Sequence, residues 1–180
     1  MAHRFVATGV YQIPLGHNRQ FANNLNRFVD GVVGGWEVSG ILTLQSSQPL
    51  QVTQNGGTMW YGTQRPNLIG DPGTSGTVYE RFNNWFNVAA FQQPAPDTLG
   101  TAPRFLNLRG PRLNTFDTAL SKTWRVTERH LIEFRFEAFN FRNHPVFNPP
   151  SSTFGSGNFG QISGTKIGAR AVQFNLNYTF

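Results

Sequence analysis

Ala171-Val-Gln-Phe-Asn-Leu-Asn-Tyr-Thr-Phe180 closes the chain, and its alternation decides the fold. Val172, Phe174, Leu176, Tyr178 and Phe180 take alternate positions, with Gln173, Asn175, Asn177 and Thr179 between them. Successive side chains of a strand point to opposite faces of a sheet, so this segment separates an apolar medium from a polar one. Two arrangements satisfy that. A soluble sandwich sets the apolar face against a protein core, whereas a membrane-spanning barrel sets it against lipid and turns the polar face to a wet lumen. Amides at every inner position, and a terminal Phe after Tyr, favour the barrel.

Composition points the same way. The chain has 180 residues with 17 Phe, 19 Gly, 11 Pro and 13% charged residues, aromatic-rich and charge-poor. No run reaches the roughly 18 apolar residues of a membrane helix, and a mean hydropathy of -0.35 suits strands whose lumen side and loops are polar. Met1-Ala-His-Arg-Phe5 lacks the apolar core of a signal peptide and runs straight into a strand pattern. The expectation is therefore a cytosolic protein or the tail of a longer chain. The absence of Cys says little about compartment. A net charge of +6 would permit nucleic-acid binding, but Lys and Arg are scattered singly with no basic cluster on a helix, so no nucleic-acid partner is expected.

Working back from the terminal strand, four more amphipathic strands are expected: about Arg4 to Ile13, Trp36 to Thr53, Thr115 to Val126, and Leu131 to Phe141. A short amphipathic helix fits Phe21 to Val29, after the turn signal Pro14-Leu-Gly16. The connections alternate in length. Only a few residues around Glu128-Arg129 separate the third and fourth strands, whereas Gln54 to Asn114 and Asn143 to Gly168 are long and rich in Gly, Pro and Asn. Outer-membrane barrels sort their connections this way, with short periplasmic turns and long outer loops. The long stretch 55–114 is expected to drape irregularly at one rim.

The faces follow from parity. Phe116, Leu120, Trp124 and Val126 share a face of the third strand; Ile132, Phe134, Phe136 and Ala138 share one of the fourth. Like faces must pair, so even numbers meet even numbers and the hairpin loop holds an odd count, met by Thr127-Glu-Arg129. The lipid-facing candidates are Trp124, Phe134, Phe136, Phe174, Leu176 and Tyr178. The lumen-facing candidates are Asp117, Arg125, Glu133, Arg135 and Glu137; the solvated face of a soluble sheet is the other reading of these five. Lys122 falls on the apolar face, where a mid-bilayer Lys costs roughly 2 to 4 kcal/mol. A bulge that turns it inward, or a position near the interface from which it snorkels, is expected.

Gly34-Gly-Trp-Glu-Val-Ser-Gly-Ile41, Leu44-Gln-Ser-Ser-Gln-Pro-Leu50, Arg65-Pro-Asn67, Trp85-Phe-Asn87 with Ala90-Phe91, Leu108-Arg-Gly-Pro111, Phe116-Asp117 with Lys122, and Arg135-Phe-Glu-Ala-Phe-Asn-Phe-Arg-Asn-His-Pro-Val-Phe147 run in order along nearly the whole chain. Together with Phe159-Gly160 and the closing Phe180, this set resembles the carboxy-terminal barrel of TonB-dependent outer-membrane receptors of the Oar-like kind. The resemblance implies a barrel of about twenty-two strands closed by an amino-terminal plug, a location in the bacterial outer membrane, and transport of a large substrate energised by TonB. It also implies the partners: membrane lipid, the remaining strands and plug, TonB through that missing part, and the barrel-assembly machinery, which would read Tyr178 and Phe180 as a terminal signal. The plug and the segment that contacts TonB have no counterpart here, so residues 1–180 read as an open segment of about five antiparallel strands from the end of such a barrel. Asn175 stands where the family's terminal signal carries a small residue.

Chemistry is not expected. Gly155-Ser-Gly-Asn-Phe-Gly160 matches a dinucleotide-binding string, but no helix pattern follows it, so it reads as a flexible loop. His3, His17, His130 and His144 stand apart with no second ligand at metal spacing, and Ser46 and Ser47 lack a nucleophile elbow. The expected protein has no cofactor and is not an enzyme; an outer-membrane barrel enzyme is one alternative. A soluble carbohydrate-binding sandwich is another, in which Trp60, Tyr61, Trp85 and Phe86 of the long loop stack on sugars. The same four aromatics also read as packing for that loop over the barrel mouth, and that reading is favoured.

Overall fold

The computed structural model describes residues 3–56 and 62–180. In chain order the first elements are β1 (Arg4–Gln12), α1 (Arg27–Val33), β2 (Trp36–Gln45), β3 (Thr53–Gln54), β4 (Asn67–Leu68) and β5 (Phe91–Gln92). There follow β6 (Leu113–Arg125), β7 (Leu131–Phe139), β8 (Val146–Phe147), β9 (Thr153–Phe154), β10 (Thr165–Ile167) and β11 (Ala171–Thr179). Two units result: one built from Gln45–Leu113 and Val146–Ile167 with the extreme amino terminus, the other from Phe5–Leu44, Asn114–Pro145 and Gly168–Phe180.

The second unit is an open antiparallel sheet in the order β1-β2-β6-β7-β11. β6 pairs with β7 without a register break, from Thr118↔Ala138 to Arg125↔Leu131. The Val126 N–H donates to the His130 carbonyl at 2.9 Å, which leaves Thr127–Arg129 as the three-residue loop that parity requires. β7 pairs with β11 from Ala171↔Phe139 to Thr179↔Leu131. Even residues meet even residues throughout. β2 ends at Gln45 rather than near Thr53, because Gln48 precedes Pro49, which biases the backbone there and removes a ladder donor.

The helix begins later than expected. Asn26 caps it, its side chain accepting from the Val29 N–H at 2.8 Å, and an Asn oxygen at that position satisfies a donor that the first turn leaves free. Gly34 and Gly35 end it, with Gly35 at φ +73°, a conformation that costs glycine nothing.

The first unit overturns the expectation of an irregular 55–114 loop. Leu50, Val52, Trp85, Phe86, Ala90, Phe91 and Leu106 form a buried core, with Phe154, Phe159 and Ile162 packed against it. The Phe86 ring meets Phe159 edge-on at 4.9 Å and Phe91 at 5.6 Å. Each large apolar side chain so buried contributes roughly 2 kcal/mol, and three two-stranded ladders, β3 with β9, β4 with β5 and β8 with β10, fix the loops around that core.

Candidate functional site

Alternation along paired strands gives the sheet two chemically distinct faces. On one, Trp124 pairs through Ile132 to Tyr178, Lys122 through Phe134 to Leu176, and Leu120 through Phe136 to Phe174. All six lipid-facing candidates therefore share that face. Phe174 and Leu176 are 68% and 72% exposed, and leaving such side chains in water forgoes roughly 2 kcal/mol apiece. A sandwich would bury them against a second sheet. Instead they are lateral neighbours of Phe134 and Phe136 in one layer.

On the other face stand Asp117, Arg125, Glu133, Arg135 and Glu137, with Gln173, Asn175 and Asn177 opposite β7. Arg135 Nε donates to Glu137 Oε1 at 2.8 Å along one strand, a partly buried pair. Asp117 has a further task that the sequence did not reveal. Its Oδ1 accepts the Asn140 N–H at 2.8 Å and so ties off the end of β7.

Aromatic residues gather at the turn end of the apolar face. Trp36 lies edge-on to Trp124 and to Phe134, at 6.4 and 6.1 Å. Tyr178 stacks on His130, its hydroxyl 2.6 Å from Nδ1, and on Phe180 at 5.9 Å. Rings collected at one level of an apolar face are the pattern that barrels place at a membrane interface. Tyr178 and Phe180, the expected terminal signal, belong to this group.

Lys122 corrects its expectation. No bulge turns it inward, since the β6–β7 register runs unbroken past it, and it does not snorkel, being only 4% exposed. It stays on the apolar face, where its ammonium donates to the Gly34 carbonyl between the rings of Trp36 and Trp124, at 5.6 and 5.3 Å. Trp124 Nε1 donates to the Gly31 carbonyl at 2.6 Å and Trp36 Nε1 to that of Val32 at 2.8 Å. The last carbonyls of a helix have no partners within it. Here the sheet supplies three donors, and the buried cation gains an acceptor in exchange.

At the opposite end two devices hold the strand tips. A Cβ at Gly40 would lie 3.1 Å from the Phe116 ring, so glycine there lets the ring lie across β2. Asn140, 2% exposed at φ +50°, donates from Nδ2 to the Gly168 carbonyl at 2.9 Å and accepts the His144 N–H at 3.1 Å. Asn143 Oδ1 accepts the Arg170 N–H at 3.0 Å. These two asparagines explain the run Phe139-Asn-Phe-Arg-Asn143: they turn the chain out of β7 and hold the start of β11.

Within the other unit, Trp85 is 4% exposed and Phe86 fully buried, so neither presents a face to a sugar. Trp85 lies under the Arg81 guanidinium at 4.2 Å and donates to the Arg109 carbonyl at 2.9 Å. Trp60 and Tyr61 lie outside the described residues. The string Gly155–Gly160 folds into successive tight turns that put Phe159 in the core, not into a loose loop. The Thr77 N–H donates to Glu80 Oε2 at 2.7 Å and holds that carboxyl below its ordinary range. A cleft of about 480 Å³ with mixed polar and apolar walls is lined by residues including Gln45, Ser46, Gln51, Phe105, Pro150 and Lys166. Among the described residues, no three His, Asp or Glu are grouped to hold a metal.

An open antiparallel sheet with one apolar and one polar face, and a short turn between β6 and β7, has the form of barrel wall. The model of the outer membrane beta barrel domain family matches residues 1–173. The chain belongs to that family and to the bacterial outer membrane. No curated protein and no solved structure matches it.

Proposed function

We propose that the chain is the carboxy-terminal wall of a TonB-dependent receptor of the Oar-like kind, contributing five strands and two structured outer connections to a transport barrel and no catalysis. The observation that carries this reading is the pair of open sheet edges. Among the described residues β1 and β11 each have a strand neighbour on one side only, and unpaired backbone groups in lipid cost several kcal/mol apiece, so the wall needs further strands. The ordered motifs from Gly34 to Phe147 name the receptor class whose barrel supplies them. In that setting Val172 to Phe180 pairs with the receptor's first strand, β1 with the strand before it, and a plug fills the lumen beside Glu133, Arg135 and Glu137.

The test is an epitope placed at Ala95-Pro96 in the chromosomal gene, followed by immunoblotting of outer membranes and crosslinking in energised cells. The reading expects a heat-modifiable band far larger than 20.1 kDa that crosslinks to TonB. A 20 kDa species outside the membrane, or a large barrel never captured with TonB, contradicts it.

A further inference from the structure

We infer that α1, with the connection that carries it, is a lipid-contacting foot that rests in the phospholipid leaflet on the periplasmic side of the outer membrane. This rests on the reading that the apolar face of the sheet meets lipid. Three observations place it. First, α1 joins β1 to β2 at the end of the sheet that also carries the short turn at Thr127–Arg129: the Ile13 N–H donates to the Trp36 carbonyl at 2.9 Å, just past the helix. Short turns of outer-membrane barrels lie in the periplasm.

Second, the helix is fastened to the apolar face and not to the polar one. Its terminal carbonyls, at Gly31, Val32 and Gly34, accept from Trp124, Trp36 and Lys122. Those rings are continuous with Phe134, which in turn contacts Phe174 at 6.4 Å. The helix thus ends against the aromatic cluster of the apolar face.

Third, the outward side of α1 has the chemistry of an interface. Phe28 is 89% exposed, Val32 67% and Val29 41%, a stripe at helical spacing. The one acid of the helix is turned away, Asp30 Oδ1 accepting the His17 N–H at 2.6 Å. Arg27 precedes Phe28, where a guanidinium can reach lipid phosphates while the ring enters the acyl boundary. Apolar residues on one side with a basic residue at their edge suit a helix lying in the plane of a bilayer surface. The seven residues span about 10 Å, which is short for a free helix, so the three hydrogen bonds to the sheet are what hold it there.

Residues 1–180 carry no Cys, so with any Cys of the rest of the full-length receptor replaced, single nitroxide labels can be read after reconstitution in phosphatidylethanolamine–phosphatidylglycerol vesicles. Labels at Phe28→Cys and Val32→Cys should collide more often with oxygen than with a water-soluble nickel chelate, and a label at Asn23→Cys should do the reverse. Labels at Phe174→Cys and Leu176→Cys serve as references on the sheet. If the references favour oxygen while the helix labels favour nickel, or are shielded from both by protein, the inference fails and the barrel wall stands. If all four favour nickel, the face assignment itself is wrong. Should Phe28→Cys block assembly, Val32→Cys decides alone.

Discussion

Lys122 places its ammonium on the backbone carbonyl of Gly34, between Trp36 and Trp124, on the face that carries mostly apolar and aromatic groups. A cation at that position is tolerated because the connection between β1 and β2 folds back over it. The same contact gives the end of α1 a partner. Sheet and helix therefore each satisfy a polar group that neither could satisfy alone.

Removing that contact tests its weight. Lys122→Ala leaves a gap between two indoles and strips the Gly34 carbonyl of its donor, so we expect a loss of about 2 to 3 kcal/mol, seen as a lower urea midpoint for the folded, heat-modifiable form. Proteolysis of the connection 16–35 should also quicken. Unchanged stability together with unchanged proteolysis would mean that the contact is incidental.

Asn140 is the second joint. Asn140→Ala removes its contacts with the Gly168 carbonyl and the His144 N–H while keeping a residue at positive φ. The expected cost is about 2 kcal/mol or more, with amide exchange quickened at Arg170 and Val172, where β11 begins. Exchange confined to the 143–146 segment would show that β11 is held some other way.

How much of this was legible in the sequence depends on where the contacts lie. The five strands were readable because alternation is local, and the β6–β7 turn because parity fixed its length. The two faces of β6, β7 and β11 followed from alternation, whereas the register that sets Phe134 beside Leu176 came only with the structure. The fate of Lys122 was not readable, since its acceptor is a carbonyl in a distant connection. The only trace was Trp36 and Trp124 falling in phase with it. The core of the other unit was hidden for a related reason. Phe86 meets Phe159 from another long connection, and neither segment has a periodicity that announces burial. Gly- and Pro-rich composition suggested irregular loops, while long-range apolar contacts made a packed unit of them. Trp85 and Phe86, read as loop packing in preference to sugar platforms, belong to that core.

The edges predict behaviour in isolation. Expressed alone, residues 1–180 keep open rows of backbone donors and acceptors on β1 and β11, which template further pairing. Sedimentation in detergent should show oligomers or aggregates with sheet-rich circular dichroism. A monodisperse monomer that unfolds cooperatively in plain buffer would contradict the need for neighbouring strands.

The most direct measurement concerns the two faces themselves. In the full-length receptor in outer membranes, single cysteines at Glu133, Arg135 and Glu137 should react with a small water-soluble maleimide, whereas cysteines at Phe134 and Phe136 should react only with a lipid-soluble one. That alternation along five consecutive residues of one strand is what a barrel wall between lumen and lipid requires. Water-soluble labelling at Phe134 and Phe136 with protection at Glu133, Arg135 and Glu137 would show the wall to face the other way, and equal labelling at all five would show that it does not cross a membrane.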